Sequence, residues 1–247
     1  MKPPQSAVVE VLMERSEKLL SRDHSVLVIV DVQDVFLKPI KVRDFIVENL
    51  QMLVQVAKQL EVPIIATTQN AEKLGALTPK LAELIGDTPV VDKLCFSCLG
   101  SEPFAQQLQA TGRSQVVLAG VEAHICVMQT ALDMLHAGYS VHVPYDAVAS
   151  RQKRDWKYAL LRLSCSGAVV STVESVIYEW LYEAGTDSFR AVLPLLKARE
   201  QARQKAEDSD EEEEVEDVET PSIQKTNLEG EEANTKASPT SEIDSEE

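Results

Sequence analysis

The 247-residue chain lacks most of the features that would take it out of the ordinary soluble globular class. No stretch approaches the roughly 18–20 consecutive apolar residues that span a bilayer. The longest apolar run, Val26 to Val30, has the length of a strand. Four cysteines (Cys95, Cys98, Cys126 and Cys165) are too few for a disulfide framework in a chain this long and read as reduced thiols. The opening residues do not run from basic to apolar as a signal peptide does, and Glu10, Glu14 and Glu17 argue against a transit peptide. A soluble cytoplasmic protein, with no membrane partner, is therefore expected.

Aromatic residues are scarce at 5 %, but hydrophobic residues make up 44 %, enough to build the core of one generous domain or two small ones. A basic surplus is also missing. The net charge of −16 is concentrated at one end, because residues 207–247 carry 17 Asp and Glu against two Lys. The rest of the chain is close to neutral. It offers no electrostatic footprint for nucleic acid, and an acidic tail opposes phosphate contact.

Composition divides the chain into three parts. Residues 1–23 form a lead-in with a partly amphipathic helical pattern (Val8, Val9, Leu12, Leu19, Leu20), suited to packing on the body or on a subunit. Residues 24–205 form the folded body. Residues 206–247 are Glu, Asp, Ser, Thr and Pro with almost no apolar clusters, too little to offset the entropy of ordering, and are expected to be disordered. Within the body, β-type runs at 25–30, 62–68, 89–92, 115–120, 140–145 and 168–171 alternate with helical patterns. The helical patterns lie at 42–60, 102–111, 123–137, 152–164 and 173–183. Strands that are apolar throughout and alternate with helices indicate a parallel sheet covered on both faces.

In open α/β sheets, ligands bind beyond the carboxyl ends of the strands where the winding direction reverses. Three reactive side chains fall at such ends: Asp31 after Val26–Val30, Lys93 after Pro89-Val90-Val91-Asp92, and Cys126 shortly past Gly120. The segment Gly120-Val121-Glu122-Ala123-His124-Ile125-Cys126 passes from a strand into a helix. A thiol in a helix's first turn meets unpaired N–H groups and the positive end of the macrodipole, which favour the thiolate. The same N–H groups can stabilise an oxyanion. Singly, each residue also has a plain structural reading: a buried apolar thiol, a capping carboxylate, a solvated lysine. Together at one sheet edge they suit nucleophilic catalysis, with a carboxylate to take the thiol proton and an ammonium to orient the groups.

These residues and their order resemble the isochorismatase-like cysteine hydrolases, which include nicotinamidases and related amidohydrolases. The matching elements are Asp31-Val32-Gln33 with Phe36, Lys93 with Ser97, Gly120-Val121 with Cys126-Val127 and Thr130, then Gly138 and Asp146-Ala147. Glu122-Ala123, Cys95-Phe96-Ser97 and Ser150-Arg151 are most similar to the eukaryotic isochorismatase domain-containing proteins. The resemblance implies a three-layer α/β/α fold with a six-stranded, mostly parallel sheet. It also implies Asp31 as base, Lys93 as third member of the triad, Cys126 as nucleophile, and the backbone N–H groups of Glu122 and Cys126 as oxyanion hole. A non-proline cis peptide would fall between Val121 and Glu122, Gln33 and Phe36 would line the pocket, and assembly into a homo-oligomer is expected.

Two departures qualify that picture. The nicotinamidase branch places a metal-binding Asp/His set after strand two, where this chain reads Thr67-Thr68-Gln69-Asn70-Ala71-Glu72-Lys73-Leu74-Gly75 without histidine. No metal and no cofactor are therefore expected, and nicotinamide is not the expected substrate. The family's usual acidic residue before the phenylalanine is Val35. Cys95 and Cys98 form a C-x-x-C pair, but no second pair or nearby histidines complete a zinc set, so the spacing reads as coincidence. His124 is expected to point elsewhere or to line the entrance, without a proton-transfer role, and His136 and His142 to be ordinary helix and strand residues.

Two functions follow. The first is a cysteine-dependent hydrolase of a small-molecule amide or related carbonyl substrate, acting through a thioester. The second is an inactive or weakly active binding or scaffold protein that works through its acidic tail, which could dock a basic protein partner, and through its oligomer surfaces.

Overall fold

The computed structural model describes residues 15–216, with the side chains of 202, 203 and 205–216 outside the description. The chain divides into two units, Met1–Glu200 and Gln201–Glu247.

The first unit is built on a seven-stranded sheet in which every pairing is parallel. Its strands are β1 (Ser25–Val30), β2 (Ile64–Gln69), β3 (Val90–Lys93), β4 (Gln115–Val121), β5 (Ser140–Pro144), β6 (Val148–Ala149) and β7 (Val169–Ser171). Six of them follow the order β3-β2-β1-β4-β5-β7. The expected six strands are all present. The seventh, β6, is a two-residue ladder that pairs with the end of β4 and is too short to show as a hydrophobic run. Winding proceeds outward from β1 in one direction and outward from β4 in the other, so the reversal falls between these two adjacent strands.

Burial explains why the central strands read as unbroken apolar runs. β1 and β4 are buried at every position, whereas the edge strand β3 alternates exposed and buried. A strand with helices on both faces has no solvated side on which to place polar residues. One face is covered by α2 (Arg43–Gln59), α4 (Pro79–Ile85) and α8 (Val173–Leu181), and the other by α5 (Glu102–Ala110), α6 (Met128–His136) and α7 (Lys153–Cys165). In α2 the residues Ile46, Val47, Leu50, Leu53, Val54 and Ala57 recur at three- and four-residue spacing and are buried. Fully burying an aliphatic side chain of this kind is worth about 1.5–3 kcal/mol, so the stripe holds the layer down. Two short helices, α1 (Asp34–Leu37) and α3 (Ala71–Leu74), follow β1 and β2; four-residue turns leave no periodic signature in a sequence.

The description reaches only part of the two end segments. Residues 15–24 form turns rather than an amphipathic helix. They are tied to the body because Leu20 is buried, its N–H donates to Glu179 Oε2 at 2.8 Å, and Ser21 N–H donates to Gln115 Oε1 at 2.7 Å. The rest of the lead-in, residues 1–14, lies outside the described residues. At the other end α9 (Asp187–Glu216) carries helical backbone into the acidic segment, where Glu, Lys, Gln and Ala are good helix formers. The remainder of the expected tail, residues 217–247, is outside the described residues. Among the described residues no helix is long and apolar enough to cross a membrane.

Candidate active site

The winding reversal between β1 and β4 falls at the carboxyl ends of these strands, and the three reactive residues gather there, buried. The first residue after β1 is Asp31, whose backbone has φ 52°. Aspartate tolerates this left-handed conformation better than most residues do, and the turn it makes re-aims its carboxylate across the sheet edge. Lys93 ends β3 and is in register with Gln69 of β2. Its ammonium lies 2.6 Å from Asp31 Oδ2, with both side chains fully buried. The same ammonium donates to Gln69 Oε1 at 2.9 Å and approaches the carbonyls of Cys95 and Phe96 at 3.3 and 3.4 Å. Thr67 of β2 completes the carboxylate's shell, donating from its hydroxyl to Asp31 Oδ1 at 2.7 Å. Buried charges need such company, because an unpaired one carries a desolvation cost of several kcal/mol.

Cys126 reaches this cluster from β4. Gly120, near the end of that strand, has φ 123°, and a Cβ there would stand 2.2 Å from the carbonyl oxygen of Val30. Only glycine lets β4 lie this close to β1 at the reversal. The peptide between Val121 and Glu122 is cis. The chain then makes one π-helical turn, Ala123–Val127, before α6. Cys126 therefore sits in a π turn rather than in the first turn of an α-helix, close enough to Asp31 and Lys93 for both charges to act on its thiol.

The electrostatics of the sulfur correct the sequence expectation. Burial, followed by the Asp31 charge, pushes the Cys126 thiol well above the ordinary cysteine range, and Lys93 pulls it down by less. Burial and the nearby carboxylate thus favour the thiol over the thiolate that a helix end would stabilise. Lys93 is raised. Burial works to lower it, but Asp31 and the two nearby thiols of Cys98 and Cys126 together outweigh that effect.

Residues that sequence reasoning passed over also belong here. Cys98, discounted as half of a chance C-x-x-C, is fully buried beside the cluster. Its backbone N–H donates to Thr130 Oγ1 at 2.9 Å, and its sulfur lies 3.9 Å from Thr67 Oγ1. Burial raises its thiol to about 11. Thr67 and Gln69 end β2 next to Asp31, and polar residues closing an otherwise apolar strand were the available signal. Gln33, expected to line the pocket, is buried with its amide spent on backbone. It accepts from Gln69 N–H at 2.7 Å and donates to the carbonyls of Gln69 and Gly75 at 3.2 and 2.6 Å, bracing the loop after β2. Phe36 is half-buried against the α2 side of the core. Val35 is exposed.

Four residues before Cys126, Glu122 is buried and held by Arg151, whose Nε lies at 2.7 Å and whose backbone N–H lies at 3.0 Å. His124 points away from the cluster, with Nδ1 at 2.9 Å from Ser150 Oγ and Nε2 at 3.9 Å from Asp155. His142 lies buried in β5, where desolvation lowers it to about 4. Among the described residues, no cluster of three or more His, Cys, Asp or Glu side chains is arranged to hold a metal ion.

A carboxylate, an ammonium and a thiol thus lie together at the winding reversal of a parallel sheet, and comparison with known proteins gives the family to which the chain belongs. Residues 25–175 match the Isochorismatase domain family model, and the chain belongs to this family of hydrolases. It is 38 % identical over 178 residues to isochorismatase domain-containing protein 2A of Mus musculus, an alignment covering 71 % of this chain and 84 % of the relative. Among solved structures it is similar to the MAR1 ribonuclease of Caenorhabditis elegans, with TM-score 0.68 and 33 % identity, covering 72 % of this chain and 91 % of that one. It is also similar to YcaC of Pseudomonas aeruginosa, solved with hexane-2,5-diol and covalent acrylamide, with TM-score 0.69 and 25 % identity, covering 77 % and 100 %.

Proposed function

We propose that this hydrolase is cysteine-dependent and cleaves a small amide or related carbonyl substrate through a thioester, with Cys126 as nucleophile. The observation that carries the reading is one buried carboxylate, Asp31, paired with the Lys93 ammonium at 2.6 Å and near enough to Cys126 for its charge to act on the thiol. Asp31 takes the thiol proton as the sulfur attacks the carbonyl carbon. This proton transfer suits a sulfur whose resting form is the thiol. Lys93 orients the carboxylate, its ammonium 2.6 Å from Oδ2. The backbone N–H groups of Glu122 and Cys126 receive the oxyanion. The amine leaves with the proton from Asp31, and water then hydrolyses the thioester. The covalent acrylamide named for the YcaC structure supports a reactive nucleophile in this fold. The protein acts as a soluble cytoplasmic enzyme, and exposed Tyr158 and Leu161 on α7 favour assembly with further copies.

A second reading, a weakly active or inactive member that binds rather than turns over, draws on one observation. Cys126 is only 6 % exposed, and the cavities walled by Tyr145 and Trp156, by Arg22 and Trp180, and by Asp34 and Pro79 are lined by none of Asp31, Lys93 and Cys126. The experiment that separates the readings is turnover of a panel of small amides by the wild type and by Cys126→Ala and Asp31→Asn. A short RNA is included because of the worm relative's name. The hydrolase reading expects at least one amide to be cleaved and both variants to lose about 10²-fold or more. Amide cleavage that survives Cys126→Ala, or cleavage of RNA alone, overturns it.

A further inference from the structure

A groove of about 460 Å³ lies beside the catalytic loop and shares no residue with the reacting cluster. Its walls are aromatic. Phe45 and Tyr145 are 44 % and 45 % exposed, and Trp156 packs against Tyr145 with ring centroids 6.0 Å apart. Trp156 Nε1 donates to the Tyr145 carbonyl at 3.3 Å, so this wall is fixed before anything binds. Its rim is basic. Lys41 and Lys153 are exposed and have no carboxylate partner among the described residues. Arg151 uses Nε and its backbone N–H on Glu122, which leaves its two terminal nitrogens turned to other uses. The carboxylate that could oppose an anion here, Asp146, is already engaged by Val173 N–H at 2.8 Å and by Arg199 at 3.7 Å. The groove's volume, apolar walls and few charged groups are those of a small-molecule pocket.

We propose that this groove is a second ligand site, and that it takes a small carboxylate with an aromatic or branched apolar body. The body lies against Phe45, Tyr145 and Trp156, and the carboxylate meets Lys41, Lys153 and the outer face of Arg151. Guanidinium and ammonium groups above an aromatic wall select an anion over its neutral isostere, and flat aromatic walls select a ring over a short chain. The site stands independently of the hydrolase reading. It adjoins the catalytic loop, however, because Arg151 holds Glu122 and Val148–Ala149 pair with Gly120 and Val121.

The test is titration of the full chain with 3-phenylpropionate, with 3-phenylpropan-1-ol as neutral isostere and acetate as small anion. Binding is followed by calorimetry and by the two tryptophan indole N–H resonances. The expected result is saturable binding of 3-phenylpropionate, about 10-fold tighter than the alcohol, with acetate silent. The Trp156 resonance should move while that of Trp180, buried in the core, stays in place. The double variant Lys41→Gln/Lys153→Gln, outside the reacting cluster, should lose the preference for the acid about fivefold or more while keeping the wild-type rate of Cys126 alkylation by iodoacetamide. Equal binding of acid and alcohol, an unmoved Trp156 resonance, or an unaffected double variant overturns the proposal. So does a groove covered by a second copy, seen as a fall in sedimenting mass on Phe45→Ser.

Discussion

The Asp31–Lys93 pair is the most exacting point in the structure, and Lys93→Met probes it. The two charges are 2.6 Å apart with neither side chain exposed. Methionine fills the volume of the lysine stem, so the change removes the charge with little loss of packing. Asp31 then keeps the Thr67 hydroxyl but loses its counter-ion. Removing one partner of a buried pair typically costs 3–5 kcal/mol, and about 4 kcal/mol is expected here. By contrast, Arg190→Ala breaks a pair whose side chains are 63 % and 98 % exposed and should cost under about 1 kcal/mol. Urea denaturation at pH 7 measures both, with an unchanged m-value showing that compactness is preserved. In Asp31→Asn/Lys93→Met, both charges are gone and the loss should fall well short of the sum of the single losses. The pH dependence follows from the raised lysine. A group whose folded pKa exceeds its unfolded value contributes fully below the unfolded value, near 10.5, and loses that contribution as pH rises through the folded value. The difference between wild type and Lys93→Met should thus be flat from pH 7 to 9 and shrink only in stronger alkali. A loss below about 1 kcal/mol for Lys93→Met, or additive single losses, would refute the reasoning.

Gly120→Ala should destabilise by about 3 kcal/mol or more, since the new Cβ would stand 2.2 Å from the Val30 carbonyl on a backbone at φ 123°; thermal unfolding reads the loss. His142, lowered to about 4, makes the fold weaken as pH falls from near 6.5 towards 4, because the unfolded chain takes the proton first. The effect is on the order of 3 kcal/mol at full extent, and His142→Leu should flatten that part of the wild-type profile in denaturant titrations. Cys98, buried with its thiol near 11, should resist Ellman's reagent in the native protein at pH 7.5, whereas exposed Cys165 reacts at once. Labelling of Cys98 at the rate of Cys165 would contradict its placement.

The parallel sheet was legible because β1 and β4 are buried on both faces and, after the first residue of each (Ser25 and Gln115), carry no polar side chain. Asp31, Lys93 and Cys126 were legible because each follows a strand end, and parallel strands bring such ends to one edge. What escaped was whatever depends on cross-strand neighbours. Thr67 matters because β2 lies beside β1, and Cys98 because the loop after β3 folds back under Thr130. The protonation of Cys126 was misjudged for the same reason. A helix-start pattern is local and visible, but the burial and the carboxylate that outweigh it come from residues almost a hundred positions away. Gln33 sits at a motif position, yet its amide is consumed by backbone across the sheet, which no spacing reveals.

The central claim, that Cys126 is the acyl acceptor and Asp31 its base, is tested most directly by acyl-enzyme trapping. The full chain is mixed with p-nitrophenyl acetate, quenched in acid within the first turnover and mapped by peptide mass spectrometry. The account predicts one acetyl group on Cys126, none in Cys126→Ala, and slow acylation at the same sulfur in Asp31→Asn. An acetyl group found on Cys165 or on surface lysines, with Cys126 unmodified, would contradict it.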